Sequence, residues 1–203
     1  MKIAVFAQDS IFTALTEGRS QINWTKVDDM DASIDTSDFD ACFFLEEDAI
    51  EKDYSKFSMP VFINSVVITL DEKNHGPNVF RINGWPGFVE RNHWECAGNL
   101  NEKVLNIFKT LGIEIISVPD QPGLVTARVI AMIINEAYYA KSEQVSSEEE
   151  IDIAMKLGTN YPKGPFEWKN FIGIRNIHQL LYTMSLTDVR YTPCPLLTKE
   201  AES

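Results

Sequence analysis

The sequence predicts an α/β first half followed by an all-helical second half, with the change of character near Pro119. Three observations carry this reading. Short β-rich apolar runs recur as far as Ile113–Val118, no convincing strand follows Pro119, and helix-start and helix-stop residues then crowd together. The expected domains are 1–118 and 119–203. The chain has 203 residues, 44% hydrophobic and 24% charged, which is a globular composition and excludes a disordered or collagen-like chain.

Along the first half, Lys2–Ala7 (KIAVFA) reads as a buried strand ended by the polar Gln8-Asp9-Ser10. Ile11–Thr16 reads as a short helix capped by Asp9 or Ser10. Strands are expected at Ile22–Val27, Ala41–Leu45, Val61–Thr69 and Val79–Asn83, the last followed by a Trp-Pro-Gly turn. Asn101–Leu111 places Val104, Leu105, Ile107, Phe108 and Leu111 at helical spacing, and Gly112 closes that helix. In the second half, Pro122 suits a first helical turn, and the helix runs to about Ala140. Its middle, Val129–Ile134, is apolar nearly all round and so is expected to be buried on most sides, in part against a second subunit. Ser147-Glu148-Glu149-Glu150 is a capping box opening a helix that Gly158 closes, Pro165 starts a short helix through Phe171, and Ile174–Leu186 is the last.

Composition also narrows function. The net charge of −12 argues against nucleic acid, whose binding rests on Lys and Arg neutralising phosphates. Between Asp28 and Asp53 there are eleven acids and one base, Lys52, a solvated acidic face or a surface for a basic partner. The longest apolar run is far short of the ~18 residues a membrane span needs. Met1-Lys2-Ile3 lacks a signal-peptide layout. Cys42, Cys96 and Cys194 are too widely spaced for a disulfide framework or a CxxC metal site. A reduced, soluble, cytoplasmic protein is expected, with no membrane partner.

Longer motifs then point further. Asp120-Gln121-Pro122-Gly123-Leu124-Val125, Arg128 and Asn135-Glu136-Ala137 are followed by Glu150–Gly158, by Tyr161-Pro162-Lys163-Gly164-Pro165-Phe166-Glu167 and by Arg190–Leu197. In this order and spacing they resemble the C-terminal domain of 3-hydroxyacyl-CoA dehydrogenases over most of residues 119–197. The resemblance implies a helical domain of the 6-phosphogluconate dehydrogenase C-terminal type, and pairing of two copies through it. The first half resembles the family's dinucleotide-binding domain more faintly, through Asp40–Glu46, Asn64-Ser65, Arg81 and Gly84, and is shorter, which implies a reduced Rossmann-like domain.

The family's chemistry is not kept. A dinucleotide site needs a glycine-rich turn after the first strand, so that the backbone can approach the diphosphate. Here that turn is Ala7-Gln8-Asp9-Ser10-Ile11, and the first glycine is Gly18. Asp28 ends the second strand about where such domains place a ribose-binding acid, although a strand-ending turn acid is the simpler reading. The resemblance places a catalytic histidine just past Gly84, where this chain has Trp85-Pro86-Gly87; Ala127 replaces an asparagine, and Val66 or Val67 a serine. Glu95 falls near the histidine-orienting glutamate, and His93 is a candidate to replace the lost base, although a turn or strand-edge histidine is the simpler reading. His75 and His178 have no metal-ligand spacing, so no metal is expected. Asn64, Trp85, Phe88 and Trp94 either line a cleft between the halves, suited to a small apolar or acyl ligand, or are plain core.

These readings predict a relative of 3-hydroxyacyl-CoA dehydrogenase without dehydrogenase activity, binding a ligand or partner as a homodimer. No cofactor is expected; NAD is implied by the resemblance alone. The alternatives are an active NAD-dependent enzyme of fatty-acid metabolism using His93 and Glu95, and an acidic protein-interaction module.

Overall fold

The computed structural model describes residues 1–28, 38–46 and 49–203. Of the acidic stretch singled out above, Asp29, Asp31, Asp35, Glu47 and Asp48 lie outside the described residues. The chain forms two compact units, Met1–Leu124 and Val125–Ser203.

The first unit is built on a seven-stranded sheet of β1 (Lys2–Phe6), β2 (Asn23–Val27), β3 (Ala41–Phe44), β4 (Val61–Asn64), β5 (Val79–Ile82), β6 (His93–Ala97) and β7 (Glu114–Ser117). Their order is β2-β1-β3-β4-β5-β6-β7. All neighbours are parallel except β5 and β6, where Arg81 faces Ala97 and Ile82 faces Cys96. β1, β3, β4 and β5 are almost wholly apolar because both of their faces are covered. On one face Ile3, Val5, Phe43, Phe62 and Phe80 pack with Leu15 of α1 (Asp9–Thr16) and with Val104, Ile107, Phe108 and Leu111 of α3 (Glu102–Leu111). On the other, Ala4, Phe6, Cys42, Phe44, Val61, Ile63 and Val79 meet Ile50, Tyr54, Phe57 and Met59. A short irregular crossover thus does the work of a helix on that face. Its polar groups are satisfied locally: Tyr54 Oη donates to the Ala49 carbonyl at 2.6 Å and Asn78 Nδ2 to the Phe57 carbonyl at 2.7 Å.

Helix boundaries follow their caps. Asn101 Oδ1 accepts from Val104 N at 3.1 Å, and Gly112, at φ +70°, ends α3 as expected. β4 stops at Asn64, five residues earlier than the apolar run suggested. Ser65 Oγ donates to the Ile68 carbonyl at 2.7 Å, and Thr69 with Glu72 makes a capping box for α2 (Leu70–Lys73). β6 was not anticipated as a strand.

The second unit contains α4 (Thr126–Ser142), α5 (Glu148–Thr159), α6 (Pro165–Ile172), α7 (Ile174–Ser185) and α8 (Pro195–Ala201). α4 packs against α6, α7 and α8 through Ile130, Ala131, Ile134 and Tyr138. It begins four residues after Pro122. Burial of its apolar middle is one-sided: Val129 is 46% exposed, and Met132 and Ile133 are partly exposed. The Ser147–Glu150 capping box forms as read, whereas α5 runs past Gly158 to Thr159 and ends on Asn160 in the left-handed region (φ +56°).

The motifs of this half are devices of folding. Asp152, buried, accepts from Phe166 N at 2.8 Å and from Glu167 N at 3.0 Å, capping α6, and Gly164 lets the two segments approach. Asn135, also buried, donates to the Thr192 carbonyl at 2.9 Å and accepts from Cys194 N at 2.7 Å, fixing the closing segment. Glu200 accepts from Tyr138 Oη at 2.8 Å and from Lys169 Nζ at 2.9 Å.

Candidate functional site

In open α/β sheets ligands bind outside the carboxyl ends of the parallel strands. Here two groups of residues occupy that edge. The first is the turn from β1 into α1. The α1 N-cap position is Gln8, which offers no side-chain cap, and Asp9 is the first helical residue. Lys26 Nζ lies 2.7 Å from Asp9 Oδ1 and 2.7 Å from Asp28 Oδ1. Hydrogen bonding to Asp28 and then Asp9 raises the Lys26 ammonium to about 12, and the bond from Lys26 holds the Asp9 carboxyl below its usual value. Asp28 therefore shares the Lys26 ammonium with Asp9. Lys26 was missed in the sequence; its place two residues before Asp28 gave no hint that Asp9 would join them.

The second group stands at the ends of β4 and β5. Asn64 Oδ1 accepts from Gly84 N at 3.0 Å, and a Cβ on Gly84 would lie 2.7 Å from Asn64 Cγ, so the glycine is needed for this approach. Asn83 Oδ1 accepts from Trp85 N at 3.2 Å, and its buried Nδ2 has no hydrogen-bond partner among the described residues. Arg81, fully buried, donates to the Ser65 carbonyl at 2.8 Å and pairs with Asp120. Removing one partner of such a pair typically costs ~3–5 kcal/mol. Trp85 and Phe88 are buried, and the Arg91 guanidinium sits 4.4 Å from the Phe88 ring centre. Trp94, expected either at a cleft or in the core, is core. Its ring packs edge-on to Phe43 at 6.1 Å and lies 5.9 Å from Phe108.

His93 and Glu95 are two residues apart on β6 and share the face opposite Trp94. The partner of His93 is Glu114 on β7, at 3.1 Å, with both side chains largely exposed (65% and 73%). An exposed pair of this kind lacks the burial that orients a catalytic dyad. His75 Nε2 is engaged with the Ile50 carbonyl at 2.8 Å, and the His178 ring faces Tyr182. No group of three or more His, Cys, Asp or Glu among the described residues is placed to hold a metal ion. No helix among them is long and apolar enough to cross a membrane.

An open, mostly parallel sheet followed by a helical bundle defines the class: a two-unit chain with an α/β first unit and an all-helical second. The family model for the C-terminal domain of 3-hydroxyacyl-CoA dehydrogenase matches residues 123–203. Over 101 residues, the chain is 40% identical to the 3-hydroxyadipyl-CoA dehydrogenase of Escherichia coli (strain K12), covering 49% of this chain and 21% of that protein. It is 41% identical over 99 residues to a probable 3-hydroxybutyryl-CoA dehydrogenase of Bacillus subtilis (strain 168), covering 47% and 34%. Among solved structures, M. tuberculosis FadB2 superposes with a TM-score of 0.72 at 15% identity, over 99% of this chain and 93% of that one, which establishes the fold. The likeness to 3-hydroxyacyl-CoA dehydrogenases is thus carried chiefly by the helical part of the chain, residues 123–203. The matched stretch is about a fifth to a third of the length of those two curated relatives.

NAD, which the family implies, does not fit the residues present. A dinucleotide's diphosphate uses bare amides at the first helix N-terminus. Here Gln8 and Asp9 carry side chains there, and the Asp9 carboxylate with its ammonium partner stands at the same helix end.

Proposed function

We propose that this chain is a 3-hydroxyacyl-CoA dehydrogenase-family protein without NAD-dependent dehydrogenase activity, a binding relative that pairs through its helical domain and takes a small apolar or acyl ligand. One observation carries the reading: an anionic side chain, Asp9, held by Lys26 at the N-terminus of α1. A carboxylate at a helix N-terminus already takes up the favourable field that a bound phosphate would use. Trp85 and Pro86 support it, since neither can exchange a proton where the resemblance calls for a histidine. Loss of a positioned acid/base typically costs ~10²–10⁴-fold in rate. Self-association is supported by the exposed apolar stripe of Val125 and Val129, at 49% and 46%.

Calorimetric titration of the full chain with NADH, and then with acetoacetyl-CoA, tests this. No NADH binding in the micromolar range and no oxidation are expected; micromolar binding with turnover overturns the proposal. Sedimentation showing a monomer at high concentration removes the pairing.

A further inference from the structure

We infer that Arg81 and Asp120 form a latch holding the exit segment, residues 119–124, on the first unit, so that the joint of the chain is Leu124–Val125 and the loop after Asn64 is tied to it. The Arg81 side chain is fully buried and spends its donors on two segments far apart in sequence. Nε donates to the Ser65 carbonyl at 2.8 Å and Nη2 to the Val66 carbonyl at 3.2 Å, both directly after Asn64. Nη2 also reaches the Gln121 carbonyl at 3.3 Å, and Nη1 pairs with Asp120 Oδ1. Asp120 Oδ2 accepts from Leu70 N at 2.8 Å and Asp71 N at 3.3 Å, and Gly123 N donates to the Val66 carbonyl at 2.7 Å. Only a planar fork with five donors serves so many acceptors at once; a lysine ammonium could not.

The backbone marks where this hold ends. Gly123 (φ +82°) and Leu124 (φ +48°) are both left-handed, a conformation that strains leucine. Leu124 keeps it while its side chain is buried, 4% exposed, and the next residue, Val125, is 49% exposed and leads into α4. Release of the exit segment would strip Arg81 of Asp120 and Gln121 together, leaving a buried guanidinium half-partnered beneath Ser65 and Val66. Loosening of the two segments is coupled for that reason.

Hydrogen exchange of the full-length protein, read peptide by peptide, tests this. In the wild type, the amides of Gln121, Gly123 and Leu124, the hydrogen-bonded ones of residues 119–124, are expected to exchange as slowly as β5. In Asp120→Ala, exchange at Leu70, Asp71 and Gly123 and in the loop 65–68 rises together by about tenfold or more, while β1 and β3 stay within about twofold. Asp120→Asn keeps an acceptor for the α2 amides but not the charge, gives an intermediate response and guards against a variant that fails to fold. Exchange at those hydrogen-bonded amides already faster than β5 in the wild type would put the joint at Pro119 and overturn the latch. So would wild-type rates at both segments in Asp120→Ala, and faster exchange at 119–124 with loop 65–68 unmoved would overturn the coupling.

Discussion

Replacing Gly164 with alanine would put a methyl carbon 2.3 Å from Asp152 Oδ1 and 2.5 Å from Asp152 Cα. The second contact is with backbone, so no rotamer of Asp152 relieves it, and α5 and α6 must move apart. Gly164 has φ −74°, so the cost is steric and owes nothing to glycine's conformational freedom. Overpacking of this kind costs ~1–3 kcal/mol. Separation also weakens the two bonds by which the Asp152 carboxylate caps α6, each worth ~1.5–3 kcal/mol as a bond to a charged group. Allowing for partial relaxation, about 3–5 kcal/mol is lost. At ~4–8 °C per kcal/mol for a unit of this size, the calorimetric transition of the second unit should fall by about 12 °C or more. Asp152→Ala loses both bonds outright, ~3–6 kcal/mol without the clash, and should fall by a comparable amount. The double variant should be no more stable than Gly164→Ala, because the contact with Asp152 Cα survives. A Gly164→Ala protein melting within about 2 °C of wild type would refute the reasoning.

Two further outcomes follow from the same unit. Gly158 lies inside α5 with nothing within 4 Å of an added Cβ, so Gly158→Ala should stabilise by ~0.5–1 kcal/mol through helix propensity, and a loss of stability in urea unfolding would contradict this. Burial alone would raise the Glu200 carboxyl, but hydrogen bonds from Lys169 and Tyr138 hold it below its ordinary 4.5. A depressed folded value contributes stability above the unfolded value and loses it as pH falls from 4.5 through the folded value. Glu200→Gln should flatten that acid limb of the melting curve, and an unchanged acid slope would show that Glu200 does not supply it.

What this sequence determined by itself was whatever depends on partners a few residues away. The capping box of Ser147 and Glu150 and the left-handed Gly112 satisfy themselves locally, and the apolar runs of β1 and β3 announce burial without naming their partners. The longer motifs were legible as a family signature, yet their purpose was not: Asp152 meets Phe166 and Asn135 meets Thr192 only once helices pack. The candidate site shows the same division. The missing glycines between Phe6 and Asp9 were plain in the sequence, but Lys26 reaches Asp9 only because β1 and β2 are paired in parallel, with Val5 beside Lys26. Sheet register likewise gave His93 the partner Glu114 in place of Glu95, since β6 and β7 set His93 opposite Glu114. The strand β6 itself, too polar at its edge to announce its fold, forms because β5 and β7 offer hydrogen bonds on both sides. Tertiary structure alone decided these, because a hydrogen bond or ion pair between distant residues exists only after the backbone has brought them within reach.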